Sequence, residues 1–119
     1  MKNILAILTV LTLLMIPITA FAAEGPMKLP SGAKPEAVSH NKEGIASWNK
    51  KDYKGALMHF STASKIDGSS GEIHFNEAIS YDKLNQHGTA TTHFGVALER
   101  AGGNKKLLNS PILKGHLGM

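Results

Sequence analysis

The apolar residues between positions 36 and 101 recur with the period of α-helices. In the clearest stretch they are Ala56, Leu57, Phe60, Ala63 and Ile66. This is the i, i+3, i+4, i+7 spacing that places side chains on one face of a helix. Runs of β-branched residues are few and no segment alternates apolar with polar residues, so strands are not expected. Because the interval also lacks proline, the pattern predicts an all-α domain.

Breaks in this pattern divide the interval into four predicted helices. The breaks are clusters of turn-forming residues at 50–52, 67–71, 85–88 and 102–103. The helices are predicted at about 36–50, 53–66, 72–85 and 89–101. Turns this short place successive helices antiparallel to each other.

Eight residues recur at an offset of 34 positions. The identical pairs are His40/His74, Glu43/Glu77, Ile45/Ile79, Ala56/Ala90, His59/His93, Phe60/Phe94, Ala63/Ala97 and Gly68/Gly102. A helix–turn–helix period of 34 residues is the signature of the tetratricopeptide repeat. Over residues about 37–104 the sequence therefore resembles that family, with two units at about 37–70 and 71–104.

The resemblance implies a fragment of an α-solenoid. Small residues, Gly44 and Ala78, stand where the two helices of one unit would cross closely, and Phe60 would fill space between the units. The sequence departs from the family at Glu43 and Glu77, where leucine is usual. The family binds very different partners, so the resemblance implies a fold and a mode of binding but no particular partner.

The family's binding surface is a concave groove lined by the first helix of each unit. Mapped onto this sequence, the groove would be lined by Asn41, Ile45, Trp48, Asn49, Phe75, Ile79, Asp82 and Lys83. Large aromatic residues are favoured interface anchors, although core packing is the alternative for Trp48, Phe75 and Ile79. Some family members clamp a peptide carboxylate, but here only Asn76 fits that set, since Ile45 replaces its partner asparagine.

The segments on either side of the repeats differ in character. Residues 23–35 contain three of the five prolines and two of the glycines, which predicts a flexible linker. At the other end, residues 104–119 are predicted to form a C-terminal capping segment. Ser110 followed by Pro111 is typical of a helix start, so a short helix is expected at about 111–117.

Residues 1–22 have the layout of a secretory signal peptide. Lys2 precedes an apolar run over residues 4–16, and residues 20–22 form an A-x-A cleavage site. An uncleaved anchor is the alternative, because residues 4–23 are about long enough to span a bilayer. We expect a periplasmic or secreted protein with no stable membrane insertion after cleavage.

The charge and cysteine content exclude several classes of function. The formal net charge is +4, and a surplus this small is not the clustered basic footprint of a nucleic-acid-binding protein. The sequence has no cysteine, which excludes disulfides, thiolate metal sites, haem attached through thioethers and cysteine nucleophiles.

The sequence analysis predicts neither a metal site nor an enzyme. Equivalent histidines, such as His40 and His74, would lie a full unit apart, about 10 Å, which is too far for an ion bound at about 2.1 Å. His59 and His93 are expected at half-exposed surface positions. No nucleophile motif or glycine-rich phosphate loop is present, so no cofactor is expected.

These observations favour a non-enzymatic, exported adaptor or scaffold that binds a protein or peptide through its concave face. Two alternatives stay open. The protein could be a self-assembling structural protein, because homo-oligomerisation would cover the open end of a short array. It could also be an accessory subunit of an envelope enzyme or redox complex.

Overall fold

A computed structural model describes residues 24–119, and all the regular structure in that range is helical. The helices are α1 (Pro35–Asn49), α2 (Tyr53–Ile66), α3 (Gly71–Lys83), α4 (His87–Glu99), α5 (Lys105–Leu108) and α6 (Pro111–Leu117). The all-α prediction is confirmed. The predicted signal peptide lies outside the described residues. Within residues 24–119 no helix is long and apolar enough to cross a membrane.

The first four helices form two packed pairs. Helix α1 packs on α2 and α3 packs on α4, while contact between α2 and α3 joins the pairs. Side-chain caps begin two of these helices: Asp52 accepts a hydrogen bond from the Gly55 amide, and Ser70 accepts one from the Ile73 amide. Such caps satisfy amides that have no partner within the helix. The arrangement is that of a repeat-like helical fold.

The two helices of the first pair cross closely at Gly44. A Cβ atom at this position would lie 2.5 Å from the ring of Phe60, closer than nonbonded carbon atoms approach. The expectation that Gly44 is small because of a helix crossing is thus confirmed. Phe60 itself is fully buried and fills the notch that the glycine leaves.

The core consists of two neighbouring hydrophobic clusters. The smaller lies between the first pair and α3, and the larger joins the second pair to Met27 and the C-terminal helices. The smaller contains Ala37, Ala56, Phe60, Ala63 and Ile73. The larger contains Met27, Phe75, Ala78, Ile79, Ala90, Phe94, Ala97, Ala101, Leu107 and Leu113. Trp48 packs against both clusters. The larger cluster therefore extends from the N-terminal segment to the last helix.

The C-terminal segment folds onto the second pair. Asn104 caps α5, and Ser110 caps α6 at the position predicted from the sequence. Leu107 and Leu113 are fully buried, and α6 packs against α4. Helix α5 was not predicted, because four residues are too few to show a helical period.

Gly71 and Gly88 provide a matched pair for testing the packing. A Cβ at Gly71 would lie 2.5 Å from the backbone oxygen of Ala97 and 2.8 Å from that of Arg100, whereas one at Gly88 would meet nothing within 4 Å. We expect Gly71→Ala to lower the free energy of unfolding by about 1–3 kcal/mol, because a backbone contact must shift. Gly88→Ala is expected to raise it by about 0.4–1 kcal/mol. Urea denaturation of both variants checks this, and equal effects would contradict the packing at Gly71.

Candidate functional site

An extended segment, residues 24–30, lies against α1 and α3. Its central residue, Met27, is 6% exposed and belongs to the larger core cluster. The prediction of a flexible linker is therefore wrong for this part of the chain. The prolines and glycines do keep the segment out of a helix, but it packs against the repeats.

Two buried asparagines hold the main chain of Met27. The Asn76 side chain accepts a hydrogen bond from the Met27 amide at 2.7 Å and donates one to the Met27 carbonyl at 2.8 Å. Asn41 donates to the same carbonyl at 3.0 Å, and Asn76 donates to the Asn41 side-chain oxygen at 2.7 Å. All three contacts to Met27 involve its main-chain atoms, while its side chain is buried.

Further contacts fix both ends of residues 24–34, which comprise this segment and the turn that leads into α1. The Glu24 carboxylate accepts hydrogen bonds from the Ser110 hydroxyl at 2.8 Å and the Ile112 amide at 3.1 Å. At the other end, the Lys34 amide donates to the Asp67 carboxylate at 3.0 Å. Hydrogen bonds from the Ser69 hydroxyl, and from the Lys34 and Ser69 amides, lower the pKa of Asp67 to about 2.

The eight residues predicted to line the groove do not form one open surface. Phe75 and Ile79 are fully buried and belong to the core, and Asn41 is buried under the N-terminal segment. Core packing, the alternative interpretation, is therefore correct for Phe75 and Ile79. Asn76, which is not among the eight predicted residues, is the central residue of the clamp. Its asparagine partner is Asn41, whereas the resemblance to the family placed the partner at position 45, where this chain has isoleucine.

The other predicted groove residues are partly buried or exposed. Trp48 is partly buried and contacts Tyr53 edge to face, with ring centroids 4.8 Å apart. Ile45 is partly buried beside the smaller cluster, and Asn49 is exposed. The Lys83 ammonium lies 5.6 Å from the centroid of the Tyr53 ring. The last of the eight, Asp82, contacts two histidines, as described below.

All six histidines of the chain pair around carboxylates, two histidines to each acid. The three groups are His40–Glu43–His59, His74–Glu77–His93 and Asp82–His87–His116. In each group the nearest ligand atoms lie within 4.8 Å of one another. The prediction that the histidines are too far apart for a shared ion is wrong, because it compared equivalent positions of the two units. The neighbours are the two histidines within one unit.

The group in the second unit, here called the second-unit cluster (His74, Glu77 and His93), is the most buried. His74 Nδ1 lies 3.4 Å from Glu77 Oε1, and His93 Nδ1 lies 3.9 Å from Glu77 Oε2. The Glu77 side chain is only 7% exposed. Three buried atoms of this cluster have no hydrogen-bond partner within residues 24–119: His74 Nδ1, His93 Nδ1 and Glu77 Oε1.

The outer ring nitrogen of His74 is held by backbone. His74 Nε2 lies 2.8 Å from the Gly68 carbonyl oxygen, which can only accept, so Nε2 carries the proton that it donates. Arg100 donates to the same oxygen, and this shared acceptor explains why Arg100 Nη1 lies 3.1 Å from His74 Nε2. In the neutral ring the lone pair is therefore on Nδ1, which faces Glu77.

The negative charge of Glu77 also changes the pKa of His74. The Glu77 carboxylate raises the pKa of His74 above its usual value of 6.5, against the opposing effect of partial burial. Their contact, at 3.4 Å, is poorly aligned for a hydrogen bond, so we regard the interaction as electrostatic.

The group in the first unit, the first-unit cluster (His40, Glu43 and His59), repeats this arrangement with more exposure. Glu43 Oε2 lies 3.6 Å from His40 Nδ1 and 3.1 Å from His59 Nδ1. The Glu43 side chain is 57% exposed. The two imidazoles stack with centroids 6.3 Å apart, almost the 6.2 Å separation of His74 and His93.

The third group has the geometry of a hydrogen-bond network. Asp82 Oδ1 lies 2.6 Å from His87 Nδ1 and 2.9 Å from His116 Nε2. The second nitrogen of His116 lies 2.8 Å from the Thr91 hydroxyl. These distances are those of direct hydrogen bonds, and the network ties α6 to α3 and α4.

No family model matches the chain, and searches of curated proteins and of solved structures return no match. The resemblance to the tetratricopeptide family stays a prediction on that account. The described residues define an all-α protein of paired, repeat-like helices. Its two distinctive features are a groove that holds an extended segment and a histidine–carboxylate cluster in each pair.

Proposed function

We propose that this protein is a non-enzymatic, exported binding module whose groove between α1 and α3 recognises an extended segment of a protein partner. The observation that carries the proposal is the clamp on Met27, in which Asn41 and Asn76 satisfy both main-chain polar groups of one extended residue. Residues 24–30 would then act as an internal occupant that a partner replaces.

The clamp has the properties that recognition of a peptide requires. Main-chain hydrogen bonds supply affinity that does not depend on sequence, and a side-chain pocket supplies specificity. Here the pocket accepts a methionine, a flexible and polarizable side chain that fills irregular gaps. The expected partner segment is extended, with a long apolar residue at the clamped position and an acidic residue three positions before it, as in Glu24.

The internal segment would also set the threshold for binding. A tethered segment is present at an effective concentration in the millimolar range, so a weak peptide cannot compete with it. A partner must offer further contacts outside the groove, or must bind when the segment is released. Residues 1–22 would direct this module to the periplasm or the exterior, where an accessory subunit of an envelope complex could use it in the same way.

Binding in trans tests the proposal. The full chain carrying Met27→Asp should release its own segment, because a carboxylate is costly to bury. A fluorescent peptide of residues 24–34, EGPMKLPSGAK, is expected to bind this variant on the order of tenfold or more tightly than the parent chain, measured by anisotropy. The control peptide carries the same Met27→Asp change and should not bind.

Two results would count against groove recognition of a partner. Failure of the peptide to bind a Met27→Asp chain that keeps its helical circular dichroism would contradict it. A parent protein whose mass in solution rises with concentration, and falls on Met27→Asp, would instead favour self-assembly by exchange of residues 24–30 between copies.

A further inference from the structure

The separations in the second-unit cluster fit a bound ion better than direct hydrogen bonds. In the second unit, nitrogen–oxygen distances of 3.4 and 3.9 Å exceed the 2.7–3.2 Å typical of hydrogen bonds. Around an ion with bonds of about 2.1 Å in tetrahedral geometry, neighbouring ligand atoms lie about 3.4 Å apart. The third group, at 2.6 and 2.9 Å, has the shorter spacing of direct contacts.

We propose that the second-unit cluster is a binding site for a divalent first-row transition-metal ion. The ligands are Nδ1 of His74, Nδ1 of His93 and the carboxylate of Glu77. Two helices supply them: His74 and Glu77 are one helical turn apart on α3, and His93 faces them from α4. Three protein ligands leave at least one coordination position for water or for a group from another molecule.

The unpartnered atoms of the cluster support this assignment. Buried polar atoms without a hydrogen-bond partner are rare and costly, yet this cluster contains three of them, on all three side chains. The Glu77 side chain is more than nine-tenths buried, and the one hydrogen bond it makes to the described part of the chain is a long one from the Ser61 hydroxyl, at 3.5 Å. A shared cation would satisfy all three atoms at once.

The surroundings prepare His74 to be a ligand. Histidines that bind metals usually donate their other ring N–H to a carbonyl or carboxylate, which fixes the tautomer and the ring orientation. The Gly68 carbonyl takes this role for His74, at 2.8 Å. The ring of Tyr81 stacks on His93, with centroids 5.1 Å apart, and thereby limits rotation of the second imidazole.

The donor set selects the class of metal. Imidazole nitrogens suit zinc, copper, nickel and iron, whereas calcium and magnesium prefer oxygen ligands throughout. The first-unit cluster provides the same donors, so we expect a second, weaker site there, because Glu43 is exposed and its side chain loses more freedom on binding. Metal binding at these clusters would be separate from the recognition of a peptide in the groove.

Calorimetry of the full chain, without a histidine tag and at a pH above neutrality, tests the proposal with Zn²⁺. We expect two binding events, one tighter than the other, and no binding of Mg²⁺. Glu77→Gln, which preserves shape but removes charge, should weaken the tighter event on the order of tenfold or more, while Glu43→Gln should weaken the other. Asp82→Asn is the matched control, since its two histidines already have direct hydrogen bonds, and it should leave both events unchanged.

A spectroscopic measurement identifies the ligands independently of affinity. Co²⁺ in place of Zn²⁺ should give a visible absorption band typical of four- or five-coordinate nitrogen and oxygen ligation. His93→Asn should remove the part of this band that appears at the lowest Co²⁺ concentrations, and should leave the part that belongs to the weaker first-unit site. His93 is a quarter exposed, so this variant serves if Glu77→Gln fails to fold. The proposal is overturned if Zn²⁺ gives no heat, if Glu77→Gln and His93→Asn bind like the parent, or if only Asp82→Asn lowers binding.

Discussion

Replacing Asn76 by alanine is expected to lower the free energy of unfolding by about 2–4 kcal/mol. The substitution removes all three hydrogen bonds of a fully buried side chain. It leaves the Met27 amide and the Asn41 side-chain oxygen without these partners, and a buried group left unsatisfied costs about 1–3 kcal/mol. It also leaves a small cavity under the N-terminal segment.

Asn49→Ala is the matched control for this loss, because Asn49 is an exposed asparagine near the end of α1. Its free energy of unfolding should change by no more than about 0.5 kcal/mol. Urea denaturation measures both variants, and Trp48 fluorescence reports the segment, because Gly25 lies beside the indole nitrogen. An Asn76→Ala protein as stable as Asn49→Ala would show that the hydrogen bonds of the clamp contribute nothing to stability.

The sequence predicted the helices well because each has a local signal. Helical period, capping residues and short turns are all visible within about fifteen residues, which is enough to define α1 to α4. The 34-residue repeat also includes positions at which the backbone conformation is the same but the residue differs. Lys51 and Asn85 both have positive φ angles, at 61° and 60°, and they occupy equivalent turns. Such a turn can be recognised from geometry but not from residue identity.

The C-terminal segment continues the same repeat. Asn104, the cap of α5, is 34 residues beyond Ser70, the cap of α3. Helices α5 and α6 together cover Lys105–Leu117, the span that corresponds to α3 in the preceding unit. The interruption at Ser110 and Pro111 divides that helix in two, because proline lacks the amide that a continuous helix requires. This interruption concealed the relation in the sequence.

The N-terminal segment could not be predicted to pack, since an extended chain with one buried side chain has no period. Its attachment depends on Asn41 and Asn76, which are far apart in sequence and do not occupy equivalent positions in the two units. A buried asparagine nearly always has hydrogen-bond partners, so its burial would indicate that another part of the chain lies against it. Burial, however, becomes visible only once the helices are packed.

The histidine clusters did leave a signal in the sequence. Each unit carries a histidine, a glutamate three residues later and a second histidine 19 residues after the first, as in His40, Glu43 and His59. Glutamate stands where leucine is usual in the tetratricopeptide family, which the sequence resembles, and this departure is itself a signal of a polar contact. Equivalent residues of the two units, such as His40 and His74, show that the sequence repeats. The histidines that lie close together are on the two helices of one unit, as His40 and His59 are.

Helix α3 connects the two candidate sites. Asn76 contributes to the clamp, and the adjacent Glu77 to the second-unit cluster, so successive residues face different neighbours. Nine residues of this helix are buried, among them Glu72, Asn76, Glu77 and Ser80. This explains why its apolar pattern is less regular than that of α2. The helix buries polar groups on several sides, and each of them needs a partner.

Phe94→Ala is expected to lower the free energy of unfolding by about 3–5 kcal/mol, the usual cost of removing a buried aromatic side chain. Phe94 is fully buried, packs edge to face with Phe75 at a centroid distance of 5.7 Å, and contacts the His116 ring at 4.8 Å. It therefore joins α4 to both α3 and α6. Thermal and urea unfolding of the variant, followed by circular dichroism, measure the loss.

Two further variants test whether the two helix pairs unfold together: Phe60→Ala as the equivalent change and Met58→Ala as the exposed control. Phe60 is the equivalent residue of the first unit, whereas Met58 is 62% exposed and its loss should cost little. Neighbouring units in a short array stabilise each other through their interface, so either phenylalanine variant should shift one shared transition. Two separate transitions, with only one shifted by Phe94→Ala, would contradict this and show that the first pair of helices folds without the second.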